Sequence, residues 1–158
     1  MSESLYQHLL LAVDFAPESE PVVARAKELR EQFGARLTLL HIVDSVPAAV
    51  EYMPMSYSGD AILPEGLDLE NELLKVAQEQ IDALGERLAV PPADRLIKVG
   101  TTGYTIDQTA DDRGVDLIVI GNRGRHGLSA LFAPATSKAV LRAQTCDVLV
   151  VDISAAED

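Results

Sequence analysis

The amino-acid sequence predicts a three-layer α/β/α domain built on a five-stranded parallel sheet. Five short runs of branched apolar residues alternate with segments of helical periodicity, which is the pattern of successive βαβ units. The crossovers of such units are almost always right-handed, and their strands are parallel. The length of 158 residues fits one domain with a substantial core. We therefore expect a single domain over residues 1–158.

The first βαβ unit opens the chain. Residues 8–13 are dense in Leu and Val and predict the first strand. A turn follows, and Pro17 suits the first position of the helix behind it. Gly34 is a typical helix stop, and residues 36–43 predict the second strand. The helix between the two strands carries an apolar stripe that predicts its buried face: Val22, Ala26, Leu29 and Phe33.

A long loop is predicted at about residues 44–66. It carries Pro47, Pro54 and Pro64 and shows no clear periodicity. Stretches of this length inside a compact domain are usually functional lids or irregular segments. A mobile surface loop is the favoured interpretation. The Met and Tyr residues between 52 and 57 leave a ligand lid or a partner site open as the alternative.

The second half of the chain continues the alternation of helix and strand. A long helix is predicted over 67–88, and Pro91 and Pro92 end it. Its expected buried face consists of Leu73, Ala77, Ile81, Leu84 and Leu88. The remaining elements are predicted, in order, as a strand at 95–99, a helix at 104–113, a strand at 116–120, a helix at 134–142 and a strand at 148–151.

A glycine-rich loop follows the fourth strand and gives the strongest functional signal. It contains Gly121, Gly124 and Gly127, with Arg123 and Arg125 between them. Glycines let the backbone approach a ligand closely, and a loop that leads to a helix start can direct several N–H groups at an anion. The formal net charge is -12, so the two arginines form a local positive site in an acidic chain. We predict that a nucleotide phosphate binds here.

The composition argues against several other classes of function. The negative net charge disfavours nucleic acid and anionic membranes as partners. No apolar run approaches the roughly 18 residues of a membrane span, and residues 1–4 lack the features of a signal peptide, so we expect a cytoplasmic protein. No paired carboxylates, metal cluster or nucleophile triad is evident, which predicts that the protein is not an enzyme.

Two residues, His41 and Cys146, are of types that often act in catalysis, but their positions in the sequence favour structural roles. His41 stands alone at a strand end without a partner of a catalytic pattern, which favours a structural role. Cys146 is the single cysteine, which excludes an internal disulfide. It precedes an apolar strand, so we predict a small buried residue without redox function.

Five pieces of the sequence resemble the universal stress protein family when they are taken together and in order. Each piece alone is a weak signal, but the set covers nearly the whole chain. The pieces are residues 10–14, 39–43, 99–103, the glycine loop, and 146–151.

The resemblance implies a fold similar to that of the adenine nucleotide alpha-hydrolases, with strand order 3-2-1-4-5. The order then reverses between strands 1 and 4, and ligands in open α/β sheets bind at such a switch point. The resemblance also implies binding of ATP or a related adenine nucleotide, with Mg²⁺ as a candidate companion ion. It further implies a homodimer through the C-terminal strand 148–153, which would otherwise expose unpaired backbone groups at a sheet edge.

The resemblance and the local pattern together nominate a set of nucleotide-binding residues. Asp14 is expected to accept a hydrogen bond from ribose or base, or alternatively to orient the turn after the first strand. Ala12 and Ile42 would line an adenine slot, although their strand positions favour the core. The full set is Ala12, Asp14, Ile42, Gly121, Asn122, Arg123, Gly124, Arg125, Gly127, Ala135, Thr136 and Ser137.

One departure from the family pattern bears on the phosphate site. In nucleotide-binding members the loop closes with Gly-Ser or Gly-Thr, where this chain has Pro134 and Ala135. Proline has no N–H to donate, and alanine has no hydroxyl. Thr136 and Ser137 follow directly and can supply hydroxyl groups. The alternative function is a homodimeric stress protein that acts through protein–protein interaction without nucleotide. An enzyme of the wider fold group is the least supported reading.

Overall fold

The computed structural model describes residues 4–43, 62–122 and 146–153, with the backbone alone for 62–69. These residues form alternating strands and helices, with short 3₁₀ turns at Pro17–Ser19 and Pro92–Asp94. The strands are β1 His8–Ala12, β2 Arg36–Val43, β3 Arg95–Val99, β4 Leu117–Gly121 and β5 Asp147–Val151. The helices are α1 Glu20–Phe33, α2 Ile62–Leu88 and α3 Thr102–Arg113.

The five strands form one parallel sheet in the order β3-β2-β1-β4-β5. The predicted fold class and strand order are therefore confirmed. Within the sheet, Leu11 lies opposite Leu39 of β2 on one side and opposite Val119 of β4 on the other. The chain builds the sheet outward through β2 and β3, and then returns to place β4 beside β1. The strand order consequently reverses between β1 and β4.

Alternate side chains of each strand pack into two separate core layers. In β1, Leu9 and Leu11 pack against α1 and α2, whereas Leu10 and Ala12 pack against α3. The layer under α1 and α2 includes Val22, Ala26, Ile81, Leu84 and Leu88. The layer under α3 includes Leu40, Ile42, Ile106, Ala110, Ile118 and Ile120.

The predicted buried stripe of α1 is confirmed at Val22 and Ala26, which are fully enclosed. Leu29 and Phe33 are half-buried and pack against the same cluster. Gly34 ends the helix with a left-handed backbone, φ 61°, which glycine adopts without the steric cost that a Cβ atom brings.

The long helix α2 begins at Ile62, earlier than the sequence predicts. Pro64 falls in its first turn, where the missing N–H has no helical acceptor in any case. Residues 62–66 are therefore helical rather than part of a loop. The rest of the predicted loop, residues 44–61, lies outside the described residues.

One predicted core position of α2 is wrong. Leu73 is 43% exposed, whereas the buried face of the described helix runs from Ala77 through Leu88. The helix has 27 residues, which corresponds to about 40 Å. The longest strand, β2, has 8 residues, or about 26 Å. The helix is thus longer than the strands that it covers, and its fully buried side chains begin only at Ala77.

Other element boundaries differ from the prediction by one or two residues, as is usual at element ends. α3 begins at Thr102, two residues early, and β4 spans Leu117–Gly121 rather than 116–120. Asp116 precedes β4, and its carboxylate accepts hydrogen bonds from the backbone N–H groups of Gln7 (2.8 Å) and His8 (3.0 Å). The predicted helix at 134–142 lies outside the described residues.

A polar network occupies the amino-terminal edge of the sheet. Asp94 is 3% exposed and accepts hydrogen bonds from Arg36 Nε at 2.9 Å and from Arg113 Nη1 at 3.3 Å. The Arg36 guanidinium holds the pKa of Asp94 below its usual value, although burial opposes this effect. Beside it, the buried His8 ring contacts Thr38 Oγ1 at 2.7 Å and donates from Nδ1 to the carbonyl of Arg113 at 3.1 Å.

None of the helices in the described part of the chain combines the length and apolar character needed to cross a lipid bilayer.

Candidate functional site

The carboxyl ends of β1 and β4 define the candidate site. The two strands are parallel neighbours at the point where the strand order reverses. In open α/β sheets, the loops that leave such a pair of strands separate and open a crevice. Asp14 follows β1, and Gly121 ends β4, so these predicted site residues emerge at the same edge of the sheet.

Ala12 and Ile42 are core residues of the layer under α3. They are 6% and 2% exposed, respectively, and belong to the same buried cluster. The interpretation that favoured the core for both residues is therefore confirmed. Both side chains lie on the α3 face of the sheet, and both residues are close to its carboxyl edge. Their second expected role, lining an adenine slot, stays a prediction.

Asp14 orients the turn after β1 through one of its two carboxylate oxygens. Oδ1 accepts a hydrogen bond from the backbone N–H of Ala16 at 3.0 Å and another from Ser19 Oγ at 2.6 Å. Oδ2 accepts none from the residues that the structure describes. The turn-orienting role is thus confirmed. Since it uses one oxygen, the other is left for a ligand donor, and this ligand role remains a prediction.

Ser19 was not singled out by the sequence. It occupies the N-cap position of α1 but does not cap the helix with its side chain. Its hydroxyl donates to Asp14 instead, and its backbone N–H donates to the carbonyl of Ala16 at 3.0 Å. The signal available in the sequence is a serine five residues after a strand-end aspartate, with Pro17 between them. A 3₁₀ turn at Pro17–Ser19 brings the two side chains together.

Gly121 is a strand residue rather than a turn residue. It is buried and lies opposite Val151 of β5. Among the described glycines, positive φ values occur at Gly34, Gly100 and Gly114. The backbone freedom that the sequence suggested for the loop is therefore not used at Gly121.

Asn122 connects the ends of β4 and β5. Its backbone N–H donates to the carbonyl of Val151 at 3.1 Å, and its side-chain Nδ2 donates to Asp152 at 2.9 Å. Its Oδ1 accepts from the backbone N–H of Ile153 at 3.1 Å. The Asn122 amide therefore holds the C-terminal segment against the switch point. A direct contact with nucleotide stays a prediction.

The remaining nominated residues fall in the glycine loop and the segment that follows it. They lie outside the described residues, and their assignment rests on the sequence: Arg123, Gly124, Arg125, Gly127, Ala135, Thr136 and Ser137.

His41 has the structural setting that the sequence favoured, whereas Cys146 is more exposed than the predicted buried residue. His41 Nδ1 lies 2.8 Å from the carbonyl of Val13, and its ring packs on Phe15 with 4.6 Å between ring centroids. Cys146 is half-buried, and burial together with nearby carboxylates raises the pKa of its thiol to about 11. The thiol is then protonated at neutral pH, so it is a poor nucleophile.

The described residues offer no cluster of three or more His, Cys, Asp or Glu side chains arranged to bind a metal ion.

Comparisons with known proteins agree with the resemblance. The sequence profile described as "Universal stress protein family" matches residues 5–152. Among curated proteins, universal stress protein A homolog 2 of Coxiella burnetii is 36% identical over 149 residues, which covers 94% of this chain and 96% of that protein.

Solved structures share the fold at low sequence identity. The hypothetical protein MJ0577 superposes with a TM-score of 0.66 at 22% identity, covering 94% of this chain and 96% of that one. A universal stress protein solved in complex with cAMP superposes with a TM-score of 0.52 at 22% identity, covering 94% and 98% of the two chains.

Proposed function

Since the chain belongs to the universal stress protein family, we propose that it is a stress-response protein that binds ATP or a related adenine nucleotide at the β1–β4 switch point. We propose in addition that it is a cytoplasmic homodimer consisting of one such domain per chain. Its action depends on whether nucleotide is bound, and it carries out no catalytic reaction of its own beyond slow hydrolysis.

The observation that carries this proposal is that the two carboxylate oxygens of Asp14 differ in their hydrogen bonds. Oδ1 is held by Ala16 and Ser19, while Oδ2 accepts no hydrogen bond from the described residues. A carboxylate oxygen that accepts no hydrogen bond from the described residues, at the switch point of an open α/β sheet, is well suited to a ribose hydroxyl or an adenine amino group. The turn also fixes the position of the carboxylate before a ligand arrives, which lowers the entropic cost of binding.

The other nominated residues supply the rest of the nucleotide site. The base is proposed to lie beyond the carboxyl ends of β1 and β2, where the buried Ala12 and Ile42 form the floor of its slot from within the core. Arg123 and Arg125, with the loop glycines, neutralise and surround the phosphates. The phosphate end is completed by the backbone N–H groups of Ala135 and Thr136 and by the hydroxyls of Thr136 and Ser137.

Support for an adenine ligand comes from the structural neighbour that was solved with cAMP. That ligand contains adenine, ribose and a phosphate, which are the three groups that this site is proposed to recognise.

The proposal is tested by isothermal calorimetry with ATP, ADP and AMP in the presence of Mg²⁺. Asp14→Asn keeps an oxygen for Ala16 and Ser19 but removes the negative charge. A hydrogen bond to a charged group contributes roughly 1.5–3 kcal/mol, so we expect affinity to fall by roughly tenfold or more. Asp112→Asn is the matched control, because Asp112 is exposed at the C-terminal end of α3, which leads into the amino end of β4 and so lies at the sheet edge opposite the switch point. Equal affinities for both variants, or no binding by the unaltered protein at millimolar nucleotide, would reject the proposal.

A second candidate function is favoured by the edge position of β5. This strand pairs only with β4 in the described sheet, and Val148, Leu149 and Val150 are only half-buried. An apolar strand at a sheet edge readily pairs with another chain. If nucleotide does not bind, a homodimer formed through β5 and acting by protein–protein interaction is the function that this surface supports.

A further inference from the structure

A second cavity lies on the opposite side of the sheet from Ala12 and Ile42. It measures about 350 Å³ and is bounded by the segment after β1, the start of α1 and the C-terminal part of α2. Val13 at its base belongs to the core layer under α1 and α2, whereas Ala12 and Ile42 belong to the layer under α3. The cavity therefore lies on the other face of the sheet from the proposed base slot, although Ala16 and Ser19, which donate to Asp14, belong to its lining.

Most of the cavity wall is apolar. The apolar lining consists of Val13, Phe15, Ala16, Pro17, Val23, Ala83 and Leu84. At ~30 Å³ for each water molecule, this space holds about a dozen waters against an apolar surface. An apolar molecule that replaces them gains the free energy of removing that surface from water.

The polar groups of the lining are largely satisfied within the protein. Glu20 and Arg87 form an ion pair across the cavity, and Ser19 donates to Asp14. Both side chains of this pair are more than half exposed, and because they neutralise each other the lining presents no unpaired charge that would attract a charged ligand. Gln80 makes no side-chain hydrogen bond with the described residues, so its amide is available to a ligand. The lining therefore favours a ligand with an apolar body, no net charge and one hydrogen-bonding group.

Phe15 gives independent support for a ligand site. Its φ is 62°, in the left-handed region that an aromatic residue rarely adopts. Such a conformation costs about 1–3 kcal/mol and persists only where the surroundings impose it, most often at ligand and active sites. The Phe15 ring lines the cavity and is supported from behind by His41, with 4.6 Å between centroids. The strained backbone thus presents a fixed aromatic surface to the cavity.

From the volume, the lining and the placement of Phe15, we propose that this cavity binds an uncharged aromatic molecule of two or three rings. A volume of 350 Å³ lies at the lower end of the range of roughly 300–1,000 Å³ for small-molecule sites. The ligand ring packs on Phe15 in an offset or edge-to-face arrangement, and its polar group pairs with Gln80.

The probe for this site is N-phenyl-1-naphthylamine, an uncharged aromatic amine whose fluorescence increases in apolar surroundings. We expect a saturable increase with one probe bound per chain. Ala83→Phe places a ring in the cavity from an exposed helix position and should weaken binding roughly tenfold or more. Ala24→Phe makes the same change at an exposed position of α1 that does not line the cavity, and should leave binding unchanged.

Phe15→Leu is a second variant that keeps an apolar side chain and removes the ring. It should weaken probe binding several-fold, with the fold checked by circular dichroism. ATP is added to separate the two sites, since the probe should remain bound at saturating nucleotide. Absence of saturable binding, equal binding by Ala83→Phe and Ala24→Phe, unchanged binding by Phe15→Leu, or competitive displacement by ATP would each overturn the proposal. Loss of nucleotide binding alone would leave it standing.

Discussion

Ser19 donates a hydrogen bond to Asp14 across 2.6 Å and thereby closes the turn between β1 and α1. The same turn starts at Asp14, at the switch point, and contributes Ala16, Pro17 and Ser19 to the lining of the apolar cavity. This single bond therefore supports the two proposed sites.

Ser19→Ala should destabilise the protein, because the Asp14 carboxylate loses its hydroxyl donor. Hydrogen bonds to charged groups contribute roughly 1.5–3 kcal/mol, and the half-buried setting places the expected loss near 1 kcal/mol. Urea denaturation measures this loss as a lower midpoint at constant slope. The control is Ser4→Ala, whose hydroxyl bonds to a nearby backbone carbonyl close to the chain start. A loss no larger than that of the control would contradict the prediction.

Gly85→Ala should also destabilise the protein, although alanine is normally the better helix residue by about 1 kcal/mol. An added methyl group would overlap the side chain of Arg95. That side chain is 7% exposed and contacts Asp82, Glu86 and the carbonyl of Val90, so it cannot move without losing these contacts. We expect a net loss of roughly 1–3 kcal/mol in the free energy of unfolding.

A double-mutant cycle identifies the cause of that loss. In an Arg95→Ala background the overlap is absent, so Gly85→Ala should be neutral or stabilising. An equal loss in both backgrounds would show that Arg95 is not responsible.

His8 should make the protein less stable as the pH falls below about 6.5, the pKa of an unperturbed histidine. Burial and the nearby Arg36 lower the pKa of His8, and these effects outweigh the carbonyl of Arg113, Asp94 and Asp116, which act in the opposite direction. The unfolded chain then binds the proton more readily than the folded one. The contribution of His8 to the free energy of unfolding is therefore fully present above the pKa of the unfolded state. It declines as the pH falls from there to the pKa of the folded state.

The measurement is the free energy of unfolding between pH 8 and pH 5 for the unaltered protein and for His8→Gln, which cannot titrate there. His41 is present in both, so the difference between the two curves reports His8 alone. Identical slopes would exclude the effect.

Val150→Pro should dissociate a dimer formed through β5 while leaving the sheet of each subunit intact. The N–H of Asp147 and the carbonyl of Val151 bond to β4 and to Asn122, so by the alternation of the strand the N–H of Val150 faces the open edge. Proline removes that donor without removing a bond to β4. Val150→Ala keeps the N–H and serves as the control.

Sedimentation equilibrium at micromolar concentration distinguishes the outcomes. We expect a dimer for the alanine variant and a monomer for the proline variant. A monomer in all forms, or a dimer that survives Val150→Pro, would place the interface elsewhere.

Much of the fold could be predicted from the sequence because buried parallel strands are continuous apolar runs. The runs around Leu10 and Ile118 are of this kind, and the resemblance supplied the strand order. Helical periodicity identified the side of α2 that faces the sheet. It could not show how far the sheet extends beneath the helix, and for this reason Leu73 was misplaced.

The candidate site was predictable only in part. Asp14 could be recognised as a charged residue at a strand end. Its hydrogen bond from Ser19 could not be predicted, because it is formed by a 3₁₀ turn that no residue periodicity indicates. The left-handed backbone of Phe15 could not be predicted either, because phenylalanine does not favour positive φ. The cavity beside it is formed by segments more than fifty residues apart in the chain.

The network in which the buried Asp94 accepts from Arg36 and Arg113 has a consequence for the evolution of this chain. It secures the amino-terminal edge of the sheet, whereas Asp14 and Gly121 lie at the carboxyl edge. Substitutions at the carboxyl edge can therefore accumulate without weakening the network at the amino-terminal edge. Residues at the carboxyl edge can in this way be exchanged during evolution while the fold is retained.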